Sequence, residues 1–149
     1  MDLLNVEHLS VTLATGRGDA QAVRDLSFNV GHGEILGIAG ESGSGKTMTA
    51  LSLLGLLPHK GRATGEINFD GRNILLSSKR QYRDLRGKEI AMIFQDPMTS
   101  LHPMLTVEVQ LTEHLRHHRK VSKLSARKSA LELLSTVKIP DPESALRSH

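Results

Sequence analysis

The stretch Gly40-Glu41-Ser42-Gly43-Ser44-Gly45-Lys46-Thr47 fits the phosphate-binding pattern GxxxxGK, followed by Ser or Thr, at every fixed position. Residues 34–39 before it form an apolar run typical of a buried strand, and residues 48–57 after it are apolar in the manner of a helix. The motif requires this context of strand, loop and helix. The sequence therefore predicts a binding site for nucleotide phosphates, and an ordinary Ser and Gly turn is the weaker alternative.

The loop residues supply the chemistry that a triphosphate needs. Glycines let the backbone curl closely enough for successive N–H groups to point at the phosphate oxygens. Lys46 adds a charge suited to the β- and γ-phosphates, and Thr47 offers a hydroxyl to Mg²⁺. The helix that begins here directs the positive end of its dipole at the anion. The predicted nucleotide-binding residues of the loop are Gly40, Glu41, Ser42, Gly43, Ser44, Gly45, Lys46 and Thr47.

Composition excludes several classes of function. The chain has 149 residues, is 38% hydrophobic and has no cysteine, so we expect a compact domain, or a large part of one, without disulfides or thiolate metal sites. It has no apolar span of about 18 residues and no signal peptide, which predicts a soluble, cytosolic protein. One Tyr, three Phe and no Trp, with a net charge of only +3, argue against a nucleic-acid partner.

Alternating apolar residues predict an antiparallel β structure around the loop. Residues 3–13 and 22–30 alternate like two paired strands, joined by a polar loop over residues 15–21. Residues 65–75 read as a hairpin with the turn signal Asp70-Gly71 in its middle. We expect a small antiparallel sheet beside the strand that leads into the phosphate-binding loop.

The second half of the chain begins with a short helix and a strand. Ser78 and Gln81 form an S-x-x-Q capping box, which predicts a helix over residues 79–85 that stops at Gly87. Residues 90–94 are apolar throughout, which is typical of a strand buried on both faces.

A loop and two helices are predicted to follow. Two prolines keep residues 95–103 from forming a helix, so we expect an extended loop at the carboxyl end of a strand, where α/β folds place their sites. Residues 107–119 and 125–137 read as helices, and Pro140-Asp141-Pro142 stops the second of them.

These elements resemble, in their order, the ATP-binding subunit of ABC transporters, and more closely the subunits that power oligopeptide, dipeptide and nickel importers. The resemblance rests on the N-terminal strand pair, residues 40–47, the Gly65-Glu66-Ile67-Asn68-Phe69-Asp70-Gly71 hairpin, and residues 91–101, which read AMIFQDPMTSL. It covers essentially the whole chain. It implies an α/β P-loop NTPase fold of ABC type, with an antiparallel β subdomain, the P-loop core and the start of a helical subdomain. The fold would be incomplete.

The resemblance also implies an organisation, partners and a function. Residues 1–95 would hold the β subdomain, the P-loop helix and the Q-loop strand, and residues 96–149 the Q-loop and a partial helical subdomain. The cofactors would be ATP and Mg²⁺, and the partners transmembrane permease subunits and a second ATP-binding subunit. The chain would lie on the cytoplasmic face of the cell membrane and energise uptake of peptides or a related solute by ATP binding and hydrolysis.

Three residues gain roles from the resemblance. Lys46 and Gln95 would be catalytic, and Gln95, as the Q-loop glutamine, would bind Mg²⁺ together with Thr47 and orient the attacking water. Without the resemblance, Gln95 is simply a polar residue at the start of a loop. Leu13 occupies the position where family members stack an aromatic ring on adenine, so we expect weak nucleotide binding.

Several family motifs do not occur in this sequence. They are the Leu-Ser-Gly-Gly signature, an apolar strand ending in Asp-Glu, and the later switch histidine. The chain therefore resembles the N-terminal portion of a longer subunit, and we expect it to hydrolyse ATP little or not at all by itself and to aggregate through uncovered apolar surface. A non-catalytic fragment, which binds nucleotide or docks through residues 95–103 and 107–119, is the alternative.

Other signals are weaker. Asp84-Leu85-Arg86-Gly87 matches the GTPase element DxxG, but it falls at the end of a predicted helix and no Asn-Lys-x-Asp follows. A small-molecule kinase is disfavoured because two strand patterns precede the loop. The cluster of His114, His117 and His118 suggests a metal site, but its basic neighbours favour a solvated helix.

Overall fold

A computed structural model describes residues 2–95 and 101–149. The chain divides into two compact units, Met1–Arg86 and Gly87–His149. The predicted loop over residues 95–103 lies partly outside the described residues, and the sequence-based boundary after residue 95 stays a prediction.

The first unit is built on a four-stranded antiparallel sheet. Its strands are β1 (Asp2–Thr15), β2 (Gly18–Gly31), β3 (Arg62–Phe69) and β4 (Arg72–Asn73), in the order β2-β1-β3-β4. The apolar side chains of Val6, Leu9, Val11 and Ile67 are completely buried and form its core. The predicted strand pair is thus confirmed.

The connection between β1 and β2 differs from the prediction. The predicted polar loop over residues 15–21 is wrong, because the strands continue to a tight turn between Thr15 and Gly18. The Thr15 hydroxyl donates to the Gly18 carbonyl across this turn at 2.6 Å. Polar side chains there face water on an exposed hairpin, so polarity alone did not distinguish strand from loop.

Two helices complete the first unit, α1 (Lys46–Leu53) and α2 (Lys79–Leu85), with a 3-10 turn at Ile74–Leu76 that replaces the end of the predicted return strand. The predicted capping box is confirmed at the start of α2. The carboxyl end of α1 is capped by Arg86, whose guanidinium donates to the carbonyls of Leu54 at 2.7 Å and Gly55 at 2.8 Å. These bonds satisfy carbonyls that a helix end leaves open.

The two predicted buried strands, residues 34–39 and 90–94, are wrong. Residues 34–39 and 91–94 have no regular secondary structure, and Ile35 is 97% and Ile93 98% exposed. A buried strand needs hydrogen-bonding neighbours for its backbone groups. Within residues 2–95 and 101–149 the sheet has four antiparallel strands, and neither run pairs with them.

The second unit is a cluster of three helices. They are α3 (Val107–Arg119), α4 (Lys123–Thr136) and α5 (Pro142–Arg147). Arg127 on α4 pairs with both Glu108 on α3 and Glu143 on α5, and the side chains of Leu115, Ala126, Ala130 and Leu146 are buried between the helices. In the described part of the chain, none of the helices has the length and apolar character that a membrane span requires.

Helix α5 was not predicted from the sequence. Asp141 is its N-cap and accepts a hydrogen bond from the Ser144 N–H at 3.2 Å, and Pro142 follows in the first turn. Asp before Pro is a helix-start signal, because proline tolerates a position that needs no N–H. The sequence reasoning had used these prolines only as a stop.

Candidate nucleotide-phosphate site

Lys46 is the first residue of α1, and its ammonium group lies over the loop that precedes it. The Nζ atom donates to the carbonyl oxygens of Gly40 at 2.7 Å and Glu41 at 2.8 Å, and to the Ser44 hydroxyl at 3.3 Å. A turn with a hydrogen bond from the Ser44 N–H to the Glu41 carbonyl, at 3.2 Å, closes the loop beneath it. The lysine charge is therefore placed at the centre of the loop by the loop's own oxygens.

The amino end of α1 is open to an anion. Its N-cap is Gly45, no side chain accepts from the first N–H groups, and the first turn contains no acidic residue. These donors and the helix dipole give a positive partial charge at this end of the helix. Thr47, in the same turn, is exposed. The donor set suits a ligand that carries several negative oxygens.

The buried side of α1 keeps its polar groups satisfied within the helix. Thr49 and Ser52 are buried, and their hydroxyls donate to the carbonyls of Gly45 at 3.1 Å and Thr49 at 2.7 Å. These two buried hydroxyls therefore need no partner outside the helix.

Gly45 fits where it does because β2 passes close behind it. A Cβ atom at Gly45 would lie 2.4 Å from the Ala22 carbonyl oxygen and 3.0 Å from Val23 Cγ2. At Gly43, by contrast, a Cβ would meet nothing within 4 Å. Both glycines have positive φ, 92° and 83°. The glycine at position 45 is thus required by packing as well as by backbone conformation.

A cleft of about 500 Å³ lies beside the loop. Residues 21–24 of β2 line one side, and Gly43, Ser44 and Lys46 line the other. Arg24 adds a second cation and is oriented by a hydrogen bond from its Nε to Gln21 Oε1 at 3.2 Å. The size is typical of small-molecule sites, and the two cations suit a nucleotide.

The sequence reasoning missed this contribution of β2. No motif marks residues 21–24, since they line the cleft only because the hairpin folds back behind the loop. Residues 22–30 were predicted only as a strand. A glycine at position 45 is compatible with a close backbone approach, but the sequence does not say which segment makes that approach.

The remaining predicted site residues lie apart from this cleft or in the other unit. Leu13 is half-buried on β1, opposite Ala20 of β2, and is not among the residues that line the cleft in the described structure. Gln95 is exposed and belongs to the second unit. All of the predicted site residues, those of the loop included, stay predictions.

The histidine cluster of α3 is compact. The rings of His114 and His118 have centroids 4.7 Å apart, and those of His117 and His118 are 4.8 Å apart. Outside the masked positions, no group of three or more His, Cys, Asp or Glu side chains is arranged to hold a metal ion.

The profile of the family described as ABC transporter matches residues 23–148. This chain belongs to the ABC transporter family. It is 46% identical over 147 residues to the oligopeptide transport ATP-binding protein OppD of Escherichia coli (strain K12). That match covers 99% of this chain and 44% of OppD. It is also 46% identical over 149 residues to the dipeptide transport ATP-binding protein DppD of Bacillus subtilis (strain 168), again covering 44% of the relative.

Solved structures agree on the fold. The dimeric structure of MJ0796, a bacterial ABC transporter cassette, superposes with a TM-score of 0.80 over 98% of this chain and 60% of its own, at 23% identity. A post-hydrolysis state of the same cassette, bound to ADP and Pi, gives a TM-score of 0.78 at 22% identity. The predicted family and fold class are confirmed. The chain spans less than half the length of the relatives OppD and DppD.

Replacing Gly45 by Ala should destabilise the first unit more than replacing Gly43 by Ala. Both changes force a residue with a side chain to positive φ, which costs about 1 kcal/mol. Gly45→Ala also drives a methyl group into the Ala22 carbonyl, which adds about 1–3 kcal/mol. Urea unfolding followed by circular dichroism measures the difference. Equal losses for the two variants would contradict the packing role of Gly45.

Proposed function

We propose that this chain carries the ATP-binding phosphate site of an ABC transporter that energises the uptake of peptides or a related solute. The observation that carries the proposal is the Lys46 ammonium, held over the loop by oxygens of Gly40, Glu41 and Ser44 at the open amino end of α1. The peptide assignment draws on the 46% identity to proteins named as oligopeptide and dipeptide transport ATP-binding proteins.

Each loop residue has a distinct part in the proposed binding. The Lys46 ammonium exchanges its loop oxygens for the β- and γ-phosphate oxygens, which carry the stronger negative charge. Backbone N–H groups of residues 40–47 donate to the phosphates, and Glu41 and Ser42 contribute through the backbone path that they hold. The Thr47 hydroxyl is the ligand offered to Mg²⁺, which when bound would neutralise phosphate charge.

The cleft beside the loop extends the same site toward the nucleoside. Val23 and Ala22 offer an apolar surface, while Arg24 and Gln21 offer polar groups. A nucleotide whose phosphates contact Lys46 would reach these β2 residues with its ribose or base. Leu13 stays proposed as the residue that would contact adenine without an aromatic ring.

Hydrolysis, partners and location belong to the proposal for the whole protein. We infer transmembrane permease subunits, a second ATP-binding subunit and a place on the cytoplasmic face of the membrane. Gln95 would position water and Mg²⁺ in that assembly. The isolated chain is expected to turn over little ATP, since an apolar strand ending in Asp-Glu, whose aspartate normally helps to hold Mg²⁺ in P-loop enzymes, does not occur in this sequence. ATP turnover that Lys46→Ala abolishes would contradict this expectation.

The change Lys46→Ala should weaken binding of a fluorescent ATP analogue about tenfold or more, because a charge-assisted contact to phosphate contributes about 1.5–3 kcal/mol. Lys60→Ala is the matched control, since Lys60 is exposed and lies outside the loop. Fluorescence anisotropy measures both affinities, and circular dichroism verifies that the variants fold.

AMP should bind the wild-type chain far more weakly than ATP, because the loop recognises the β- and γ-phosphates. Equal affinity of the Lys46→Ala variant and the wild type for ATP, with the fold intact, would sink the phosphate-site proposal.

The change Leu13→Tyr should increase the affinity for ATP by about 5- to 150-fold. A ring stacked on a base is worth about 1–3 kcal/mol. Leu76→Tyr, at an exposed position outside the site, controls for unspecific aromatic contacts. Anisotropy titrations with ATP measure the gain, and an unchanged affinity in a correctly folded Leu13→Tyr chain would show that adenine does not reach this residue.

A further inference from the structure

The end of the helical unit where α3 meets α4 is rich in basic residues and has no acidic residue among them. Residues 114–128 read HLRHHRKVSKLSARK and contain no Asp or Glu. Arg127 is committed to Glu108 and Glu143 inside the unit. The five other cations of this run form what we term the basic patch, namely Arg116, Arg119, Lys120, Lys123 and Lys128.

The residues of the basic patch are exposed and lack internal partners. All five are exposed, and in the described part of the chain none forms an ion pair. Because α3 ends at Arg119 and α4 begins at Lys123, the patch gathers at one end of the helix pair. Like charges at this spacing repel one another in the isolated chain, so their concentration costs stability.

The helix dipole explains only part of this arrangement. Arg116 and Arg119 lie in the last turn of α3, where cations are favourable. Lys123 is different, because it is the first residue after the N-cap Ser122 of α4, where a cation opposes the dipole and the first turn has no acidic residue. The helix dipole therefore does not explain the position of Lys123.

An apolar surface accompanies the charges. Leu124 is 80% exposed between Lys123 and Lys128. A hollow of about 480 Å³ lies along this face of α4, lined by Leu124, Leu131 and Lys128 among others. Basic side chains on the same helix as an exposed leucine allow the leucine to enter a membrane surface while the charges stay at the headgroups.

We propose that the basic patch, together with Leu124, binds the headgroups of anionic phospholipids. The cations would neutralise lipid phosphates, and Leu124 would enter the boundary between headgroups and acyl chains. Binding of this kind is worth about 1 kcal/mol for each Lys or Arg near the surface, or about fivefold in affinity. It would hold the helical unit at the membrane independently of any permease subunit.

Lipid fits the patch better than nucleic acid does. Single-stranded nucleic acid is usually held by basic side chains together with stacking aromatic rings, and residues 114–128 contain no Phe, Tyr or Trp. An exposed leucine has an apolar partner in a lipid bilayer and none in a phosphate backbone. The basic patch and Leu124 therefore match a membrane surface, whose headgroups are anionic and whose acyl chains are apolar.

The test is sedimentation of the 149-residue chain with vesicles, in the absence of nucleotide. Vesicles of phosphatidylcholine with roughly one-third phosphatidylglycerol should bind the chain, and pure phosphatidylcholine vesicles should bind it at least about tenfold more weakly. Raising the salt from about 0.1 M to about 0.5 M should release it, because screening shortens the reach of the charges.

A triple charge reversal tests the residues. Lys120→Glu, Lys123→Glu and Lys128→Glu together should weaken binding to the anionic vesicles at least about tenfold. The matched control is Lys79→Glu, Arg83→Glu and Lys138→Glu, with the same change in net charge. Lys79 matches Lys123, because each is the first residue of a helix. Lys138 matches Lys120, because each has a positive φ. The control should bind within about twofold of wild type, and Leu124→Ser should bind more weakly than wild type.

Three results would overturn the proposal. They are equal binding to neutral and anionic vesicles, equal loss in the two triple variants, and tighter binding to a nucleic-acid duplex than to the anionic vesicles. Circular dichroism verifies the fold, and Lys123→Glu is expected to favour α4 because it places a negative charge at the amino end. Since no nucleotide is present, failure of ATP binding and failure of lipid binding are separate outcomes.

Discussion

The close approach of β2 to the phosphate-binding loop at Gly45 is the constraint on which the first unit depends. With the Ala22 carbonyl 2.4 Å from where a side chain would begin, the loop can lie against the hairpin only because position 45 is glycine. This contact fixes the start of α1, and the start of α1 fixes Lys46. The lysine then lies over the loop, where its ammonium group donates to the carbonyl oxygens of Gly40 and Glu41. The positions of the helix start and of the lysine charge therefore depend on this one packing contact with the sheet.

The carboxyl end of α1 is also anchored by specific contacts. Arg86 binds the carbonyls of Leu54 and Gly55, and its guanidinium lies 5.3 Å from the centre of the Tyr82 ring. The P-loop helix is thus fixed at its amino end by the hairpin and at its carboxyl end by α2. A rigid helix between two supports is what a phosphate site needs, because its donors must already point at the ligand before binding.

The sequence allowed much of the fold and the loop of the site to be predicted, and the errors share a physical cause. Alternation revealed β1 and β2, and the capping box located α2, because these signals are local. The runs at residues 34–39 and 90–94 were predicted as buried strands, yet burial requires neighbouring strands, which composition cannot supply. For the site, the motif predicts residues 40–47 as the phosphate-binding residues, whereas the β2 side of the cleft depends on a tertiary contact. Assignments of Leu13 and Gln95 came from family resemblance alone.

The central claim is that residues 40–47 receive the phosphates of a nucleotide, and amide NMR tests it most directly. In a titration of the ¹⁵N-labelled chain with ATP and Mg²⁺, the account predicts that the largest shifts occur at the amides of residues 40–47, with smaller ones at Ala22 and Val23. AMP should leave the loop amides nearly unchanged. Loop amides that do not respond to ATP, or shifts confined to other parts of the chain, would contradict the account.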